Sequence, residues 1–237
     1  METVAFTFYY ITPYIAVLVF FGGIAYRVYQ WSRRPPVPAH LSLYPRPRSR
    51  VGRLVDALVD LFTLRGLFRV NKPLWIGGFM MHLGLLLILA GHVRVFTDYY
   101  FLWSLLRWGE EQQHTFSAVA GTVAGLLFAL PLLYLLGRRW SGAVKWLSSP
   151  EDYFLLFLLI GIALTGFHMR LLRLVDIEEL HRFFGGLATF RWQPVPTTVG
   201  PAFIYHFAFV QLLMVYFPFS KLMHTIGSVL SKMVARS

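Results

Sequence analysis

Apolar residues gather in five long stretches along the chain, and polar or charged residues fill the segments between them. A helix that crosses the hydrocarbon core of a bilayer needs about 20 mostly apolar residues. We therefore predict a single all-α domain over residues 1–237, an integral membrane bundle of five helices. The predicted spans are residues 7–26, 74–96, 115–136, 153–167 with their flanks, and 202–226.

The basic residues of the connecting segments predict the orientation of this bundle. Residues 27–72 contain ten Lys and Arg residues against Asp56 and Asp60 only. The short loop at 137–149 adds Arg138, Arg139 and Lys145. Because Lys and Arg concentrate in the cytoplasmic loops of membrane proteins, we expect the N-terminus outside and the C-terminus in the cytoplasm.

The basic cytoplasmic loop at 28–72 has two parts. Its first part is rich in Pro and Arg, which favours an extended polar chain. In residues 53–69, polar positions such as Asp56 and Asp60 alternate at helical spacing with apolar positions such as Leu54 and Leu58. We expect an interfacial helix at 53–69 that lies on the membrane surface. A solvated helix that packs on its own protein is the open alternative.

Two features inside the predicted spans concern packing. Ser117, Gly121 and Gly125 recur at four-residue intervals, and small residues at this spacing let helices approach closely within a bundle. Pro218 lies inside the fifth predicted span, where neighbouring helices can tolerate a kink.

Composition and charge exclude several classes of protein. Of the 237 residues, 57% are hydrophobic and 14% are charged, against about 25% charged in a soluble domain. The net charge of +11 is explained by the topology and by anionic membrane lipids, so no nucleic-acid partner is expected. The absence of cysteine excludes iron–sulfur clusters, thiolate-bound zinc and disulfides within this chain.

Four of the eight histidines lie inside hydrophobic runs, His82 and His92 in the second and His206 and His224 in the fifth. Ionisable side chains in a membrane usually face the bundle interior and need a partner. The spans contain hardly any carboxylates that could serve as one. Two histidines on each of two helices therefore indicate metal ligation.

The order of the spans predicts how these histidines pair. The second and fifth spans run antiparallel, so His92 matches His206 in depth and His82 matches His224. A zinc site would need three or four ligands at one point, whereas each pair suits a flat macrocycle between two axial imidazoles. The eighteen residues from His206 to His224 equal five helical turns, which would put both on one face. We predict two haem b groups.

The spacing and local sequence of these histidines resemble the dihaem cytochrome b (gamma) subunit of respiratory nitrate reductases. The resemblance implies that His82 and His224 hold the haem near the cytoplasm, that His92 and His206 hold the outer haem, and that quinol is oxidised beside the outer haem. It also implies a multi-pass protein of a prokaryotic cytoplasmic (inner) membrane. The matching motifs are Pro13-Tyr-Ile-Ala, Met81-His-Leu-Gly, Gly91-His92, Ala202-Phe-Ile and Phe217-Pro-Phe-Ser-Lys-Leu-Met-His224.

The long first loop, which ends in Phe68-Arg-Val-Asn-Lys-Pro-Leu-Trp75, is more similar to the related membrane cytochromes of Dsr-type sulfur-metabolism complexes. This resemblance implies a membrane electron-transfer subunit of a quinol/quinone oxidoreductase. Its partner would be a cytoplasmic iron–sulfur subunit, either heterodisulfide-reductase-like or nitrate-reductase-beta-like.

Two more residues are candidates near the outer haem. Quinol oxidation releases protons, and His114 at the outer end of the third span is the candidate relay; a plain interfacial histidine is the alternative. Arg94 could pair with a haem propionate, or its side chain could extend to the lipid headgroups. The competing functional class is a haem-free membrane transporter or anchor in which the histidines form a proton relay.

Overall fold

The computed structural model describes residues 2–33, 49–172, 176–197 and 200–235. Within these ranges the chain is built of helices, and no strand is present. The α-helices are α1 (Glu2–Phe6), α2 (Thr12–Ser32), α3 (Arg50–Thr63), α4 (Arg65–Val70), α5 (Lys72–His92), α6 (Tyr100–Leu106), α7 (Glu110–Trp140), α8 (Val144–Leu147), α9 (Pro150–Leu171), α10 (Ile177–Ala188), α11 (Pro201–Tyr216) and α12 (His224–Ala235).

Among the described residues, five helical segments are long and apolar enough to cross a membrane, which confirms the all-α, multi-pass prediction. A π-helical turn at Thr7–Ile11 joins α1 to α2, and both belong to the first segment. The segments are Thr3–Ser32, Lys72–Val95, Glu110–Trp140, Pro150–Leu171 and Pro201–Phe219.

The chain forms two compact units, and the first contains Met1–Pro13 and Met80–Val210. Its core lies where α7 packs against α9, with Phe128, Leu132 and Leu156 buried there. Gly84 of α5 lies directly against α7, because a Cβ at this position would be 2.6 Å from the backbone nitrogen of Phe128. The close contact explains why a residue without a side chain occurs in this turn of α5.

The second unit contains Tyr14–Phe79 and Gln211–Ser237. In it, Gly23 of α2 leaves room for Pro218, since a Cβ on Gly23 would lie 2.6 Å from the proline ring. The Arg27 guanidinium donates from Nε to the carbonyl oxygen of Pro218 at 3.1 Å.

The fifth helix ends earlier than the predicted span of residues 202–226. Helix α11 stops at Tyr216, and short 3₁₀ turns follow at Phe217–Phe219 and Lys221–Met223. Between these turns Ser220 is extended, and its hydroxyl accepts from the backbone N–H of Leu222. Pro218 has no N–H to donate and its ring crowds the preceding turn, so the regular helix ends here rather than bending. The eighteen-residue spacing therefore does not measure five turns of one helix.

The basic loop is described from Ser49 onward, and its Pro-rich part at 34–48 lies outside the described residues. The Ser49 hydroxyl caps α3 by accepting from the N–H of Gly52. Leu64, in the left-handed conformation with φ 49°, separates α3 from α4. The location of this segment at a membrane surface stays a prediction.

Candidate functional site

His92 and His206 lie next to each other in the first unit. His92 is the last residue of α5, and His206 lies in the second turn of α11. Their ring centres are 6.2 Å apart and their ring planes are inclined by 14°. The structure thus brings together the two imidazoles that the sequence predicted as one pair.

The hydrogen bond of His92 fixes which ring nitrogen carries the proton. Its Nδ1 lies 2.8 Å from the carbonyl oxygen of Ile88, one turn earlier in α5. A carbonyl oxygen can only accept, so Nδ1 must donate and Nε2 keeps its lone pair. This is the tautomer in which a histidine ligates a metal through Nε2.

His206 is held in the same tautomer by α9. Its Nδ1 lies 3.1 Å from the carbonyl oxygen of Ile162 and 3.1 Å from the hydroxyl of Thr165. Since that hydroxyl donates to the carbonyl oxygen of Gly161 at 2.7 Å, it accepts from His206. Gly166 leaves room for the His206 ring, because a Cβ at position 166 would lie 3.1 Å from Cε1 of that ring.

The separation of the two ring centres matches that of two imidazoles that ligate one ion from opposite sides. A ligating ring nitrogen lies about 2 Å from its metal and the ring centre about 1.2 Å further away, so two such rings have centres about 6.4 Å apart. No group of three or more His, Asp or Glu side chains that could hold a metal occurs among the described residues. Two imidazoles alone suit a cofactor that brings its own equatorial ligands, as haem does.

The other two predicted histidines are described separately, because His82 lies in the first unit and His224 in the second. His82 is a half-buried residue in the middle of α5. His224 is the first residue of α12, and its Nδ1 lies 2.8 Å from the carbonyl oxygen of Lys221. By the same reasoning His224 donates from Nδ1. Their assignment as a pair stays a prediction.

Arg94 follows His92 by two residues and forms a bidentate ion pair with Asp98. Its Nε and Nη2 donate to the two carboxylate oxygens at 3.1 and 2.9 Å, and its Nη1 donates to the Ser117 hydroxyl at 2.6 Å. The Arg94 side chain is only 12% exposed. Three of its five N–H donors are therefore engaged within the protein.

Asp98 accepts four hydrogen bonds from its neighbours, and its sequence context does not mark it as a site residue. Besides those from Arg94, it accepts from the indole N–H of Trp103 at 2.8 Å and from the backbone N–H of Tyr99 at 2.7 Å. Burial alone would raise the pKa of the Asp98 carboxyl, but these donors and the Arg94 charge outweigh burial and lower its pKa. Asp98 is therefore a carboxylate that orients Arg94.

The small residues of α7 make room for side chains from other helices. Ser117 accepts from Arg94, and a Cβ on Gly121 would lie 3.2 Å from Nε of Arg170. One turn further, a Cβ on Gly125 would lie 2.7 Å from the ring of Phe167. The small residues of α7 thus leave room for Arg94, Arg170 and Phe167. Their four-residue spacing alone does not identify these neighbours.

His114 lies in the second turn of α7 and is exposed. It precedes Ser117 by three residues, so it lies on the same face of α7 as the hydroxyl that binds Arg94.

The cluster of Arg94, Asp98 and Ser117 has two signals in the sequence. The four-residue interval from Arg94 to Asp98 is typical of a helical ion pair, and Ser117 is polar within an apolar run.

Comparison with known families gives a match over most of the chain. The profile described as nitrate reductase gamma subunit matches residues 66–236. This range contains His82, His92, His206 and His224 and begins after most of the basic loop.

Two curated relatives are both described as Hdr-like menaquinol oxidoreductase cytochrome b-like subunit. The protein from Archaeoglobus fulgidus is 30% identical, over 92% of this chain and 75% of its own length. The protein from Archaeoglobus profundus is 27% identical, with the same shares of both chains covered.

Proposed function

Because the chain belongs to the nitrate reductase gamma subunit family, we propose that it is the cytochrome b membrane subunit of a quinol oxidoreductase complex. Its similarity to two proteins named as menaquinol oxidoreductase subunits favours menaquinol as the electron donor. The observation that carries the proposal is the pair of His92 and His206, whose ring centres are 6.2 Å apart and whose Nδ1 atoms both donate to backbone carbonyl oxygens.

In this proposal the Nε2 atoms of His92 and His206 would hold one haem b. A haem held there would supply reversible one-electron transfer. The carbonyl oxygens of Ile88 and Ile162 hold the two rings in the ligating tautomer. They also make the imidazoles more basic, which stabilises the oxidised iron.

We assign the second haem b to His82 and His224, which the family resemblance pairs. The Nδ1 bond of His224 to Lys221 gives this histidine the same tautomer as His92 and His206. Two haems in one chain would carry an electron across the membrane in two steps.

The basic residues support an orientation with His92 and His206 near the outer face. Oxidation of one quinol there yields quinone, two electrons and two protons, and the protons need an acceptor at the same face. We assign this relay to His114, which shares a face of α7 with Ser117. Arg94 has two N–H donors beyond its bonds to Asp98 and Ser117, and we assign them to a haem propionate.

The electrons must leave through another subunit, because a chain without cysteine cannot hold an iron–sulfur cluster of its own. We propose a cytoplasmic iron–sulfur partner of the heterodisulfide-reductase-like kind, which the names of the relatives favour over a nitrate-reductase-beta-like one. The basic loops at 28–72 and 137–149 suit a partner with acidic patches, and their charge would set its orientation and association rate.

A deletion tests this docking surface without touching a span. A chain that lacks residues 35–50 should keep its haems and their reduction by quinol, but it should lose co-purification with the iron–sulfur subunit. Full assembly and turnover of the complex would show that this loop serves topology and lipid binding only.

A reduced-minus-oxidised visible spectrum of the purified chain tests the function itself. We expect the absorption bands of b-type haem in this spectrum. In vesicles of a prokaryotic membrane lipid, quinol should reduce the haems and produce the same bands. A well-folded chain with no haem bands would instead favour the transporter or anchor class, with the histidines as a proton relay.

A further inference from the structure

Helix α3 presents an apolar stripe to its surroundings. The members of the stripe recur at intervals of three and four residues, which puts them on one face of the helix. They are 38% to 71% exposed in the folded chain. The stripe consists of Val51, Leu54, Val55, Leu58, Val59 and Phe62.

The acidic residues of α3 face the opposite way and are less exposed. Asp56 and Asp60 are half-buried, and the Asp60 side chain is only 14% exposed. Asp60 accepts from Nε of Arg65, the first residue of α4, at 2.8 Å. The helix therefore turns its polar face towards the protein and its apolar face away from it, which is the reverse of a helix on a soluble domain.

The C-terminal end of α3 is fixed at the start of a membrane span. The indole N–H of Trp75 donates to the carbonyl oxygen of Thr63 at 2.7 Å, and Trp75 lies in the first turn of α5. The Trp75 ring also contacts Phe68 of α4, with ring centres 4.9 Å apart. Tryptophan is enriched at the level of the lipid headgroups, so this bond holds the end of α3 at that depth.

Basic residues follow the stripe along the chain. Arg65 has a 43% exposed side chain, Arg69 is exposed, and the ammonium of Lys72 lies 5.8 Å from the ring centre of Phe68. An apolar helix face bordered by cations at headgroup depth fits a leaflet with anionic lipids better than it fits water.

We propose that α3 is an interfacial anchor that inserts its apolar stripe among the lipid chains of an anionic leaflet. The tether between Trp75 and Thr63 fixes its depth, and the cations of α4 bind the headgroups. This inference rests on the exposed stripe and not on the haem ligands, so it can fail while the proposed function holds. The competing occupant is an apolar surface of a partner subunit.

The absence of cysteine from the chain allows nitroxide labels at single introduced cysteines. The test positions are Val55→Cys and Leu58→Cys on the stripe, with Asp56→Cys on the opposite face as the matched control. Leu87→Cys, 45% exposed in the middle of α5, gives the value for a label in lipid. The full chain is placed in vesicles of phosphatidylethanolamine and phosphatidylglycerol, without any other protein.

The measurement compares collisions of each label with oxygen, which enters lipid, and with a water-soluble nickel complex. We expect the labels at 55 and 58 to collide more often with oxygen than with nickel, as the label at 87 does. The label at 56, on the half-buried face, should collide less often with both reagents than the labels on the stripe do. In phosphatidylcholine vesicles the oxygen preference at 55 and 58 should decrease, because the cations lose their anionic partners.

Two outcomes would overturn the proposal. Labels at 55 and 58 that favour nickel in vesicles would show that water covers the stripe. Labels that become shielded only after the iron–sulfur subunit is added would assign the stripe to that partner. Unchanged helix content and elution volume of each variant would establish that the labels report on a folded chain.

Discussion

The rings of His206 and His224 are oriented by different parts of the structure. Both rings donate from Nδ1 to a backbone carbonyl, but His206 bonds to Ile162, 44 residues earlier, whereas His224 bonds to Lys221, three residues earlier. The first ring is held by another helix, α9, and the second by the turn that leads into α12. The tautomer of His206 therefore depends on tertiary packing, and that of His224 depends on local chain geometry.

The two histidine sites should therefore be sensitive to substitutions in different segments. A change on α9 should disturb His206 without altering α11 itself, because Gly166 and Thr165 contact its ring directly. A change in the turn after Pro218 should disturb His224 and leave the contacts of His206 intact.

The largest effect is expected from Gly166→Leu. The new side chain would occupy the place of the His206 ring, since even a Cβ would lie 3.1 Å from Cε1. We expect the haem content of the purified chain to fall from two to one. The control is Gly137→Leu in α7, where a Cβ would meet nothing within 4 Å. Full haem content in the Gly166 variant would mean that α9 does not position this ligand.

A smaller effect is expected from Ser220→Ala. The variant removes the hydroxyl that accepts from the N–H of Leu222, and the loss of such a cap costs about 1 kcal/mol. On gradual heating, the haem assigned to His224 should dissociate at a lower temperature, while the haem assigned to His206 should be unaffected. An equal change for both haems would show that the two sites are not independent.

Thr165→Val should change the midpoint potential of the haem assigned to His206 and leave the haem content unchanged. The hydroxyl is one of two acceptors for the Nδ1 proton of His206, so its removal makes the imidazole less basic and the oxidised iron less stable. We expect the midpoint potential of the haem assigned to His206 to rise by about 20 to 40 mV. Thr122→Val, whose hydroxyl bonds to Ala118, should leave both potentials unchanged in a redox titration.

The smallest effect concerns Asp98 and pH. Because the Asp98 pKa is lowered in the folded chain, its ion pair stabilises the fold above the ordinary carboxyl pKa of about 4, and this contribution is lost as the pH falls through the lowered value. Wild type should melt slightly above Asp98→Asn at pH 7, and the gap should close in strong acid. Equal melting temperatures at pH 7 would show that the pair contributes nothing.

The local features of this molecule could be predicted from the sequence better than its tertiary contacts. Hydropathy located five spans, and His82, His92 and His206 lie within them as predicted, whereas His224 follows the end of the fifth span. The acceptors for His92 and His224 lie within four residues of each ring, so helix geometry alone can supply them. Pro218 within the fifth predicted span suggests a kink, whereas in the structure Pro218 and the extended Ser220 end the helix.

The remaining features depend on which helices meet. No spacing within α11 points to Ile162, Thr165 or Gly166, and the stripe of small residues on α7 does not say that Arg170 lies against Gly121. The outward direction of the apolar face of α3 is also a tertiary property, since periodicity defines the two faces but not which one packs on the protein.

Haem quantification in single-histidine variants tests the central claim most directly. Pyridine haemochrome assays would compare wild type with His92→Ala, His206→Ala and the control His168→Ala, which changes an exposed histidine near the end of α9. The account predicts two haems in wild type and in the control, and one in each of the other variants, with the same spectral component lost from both. Retention of both haems in either variant, or loss of different components, would contradict ligation of one haem by His92 and His206.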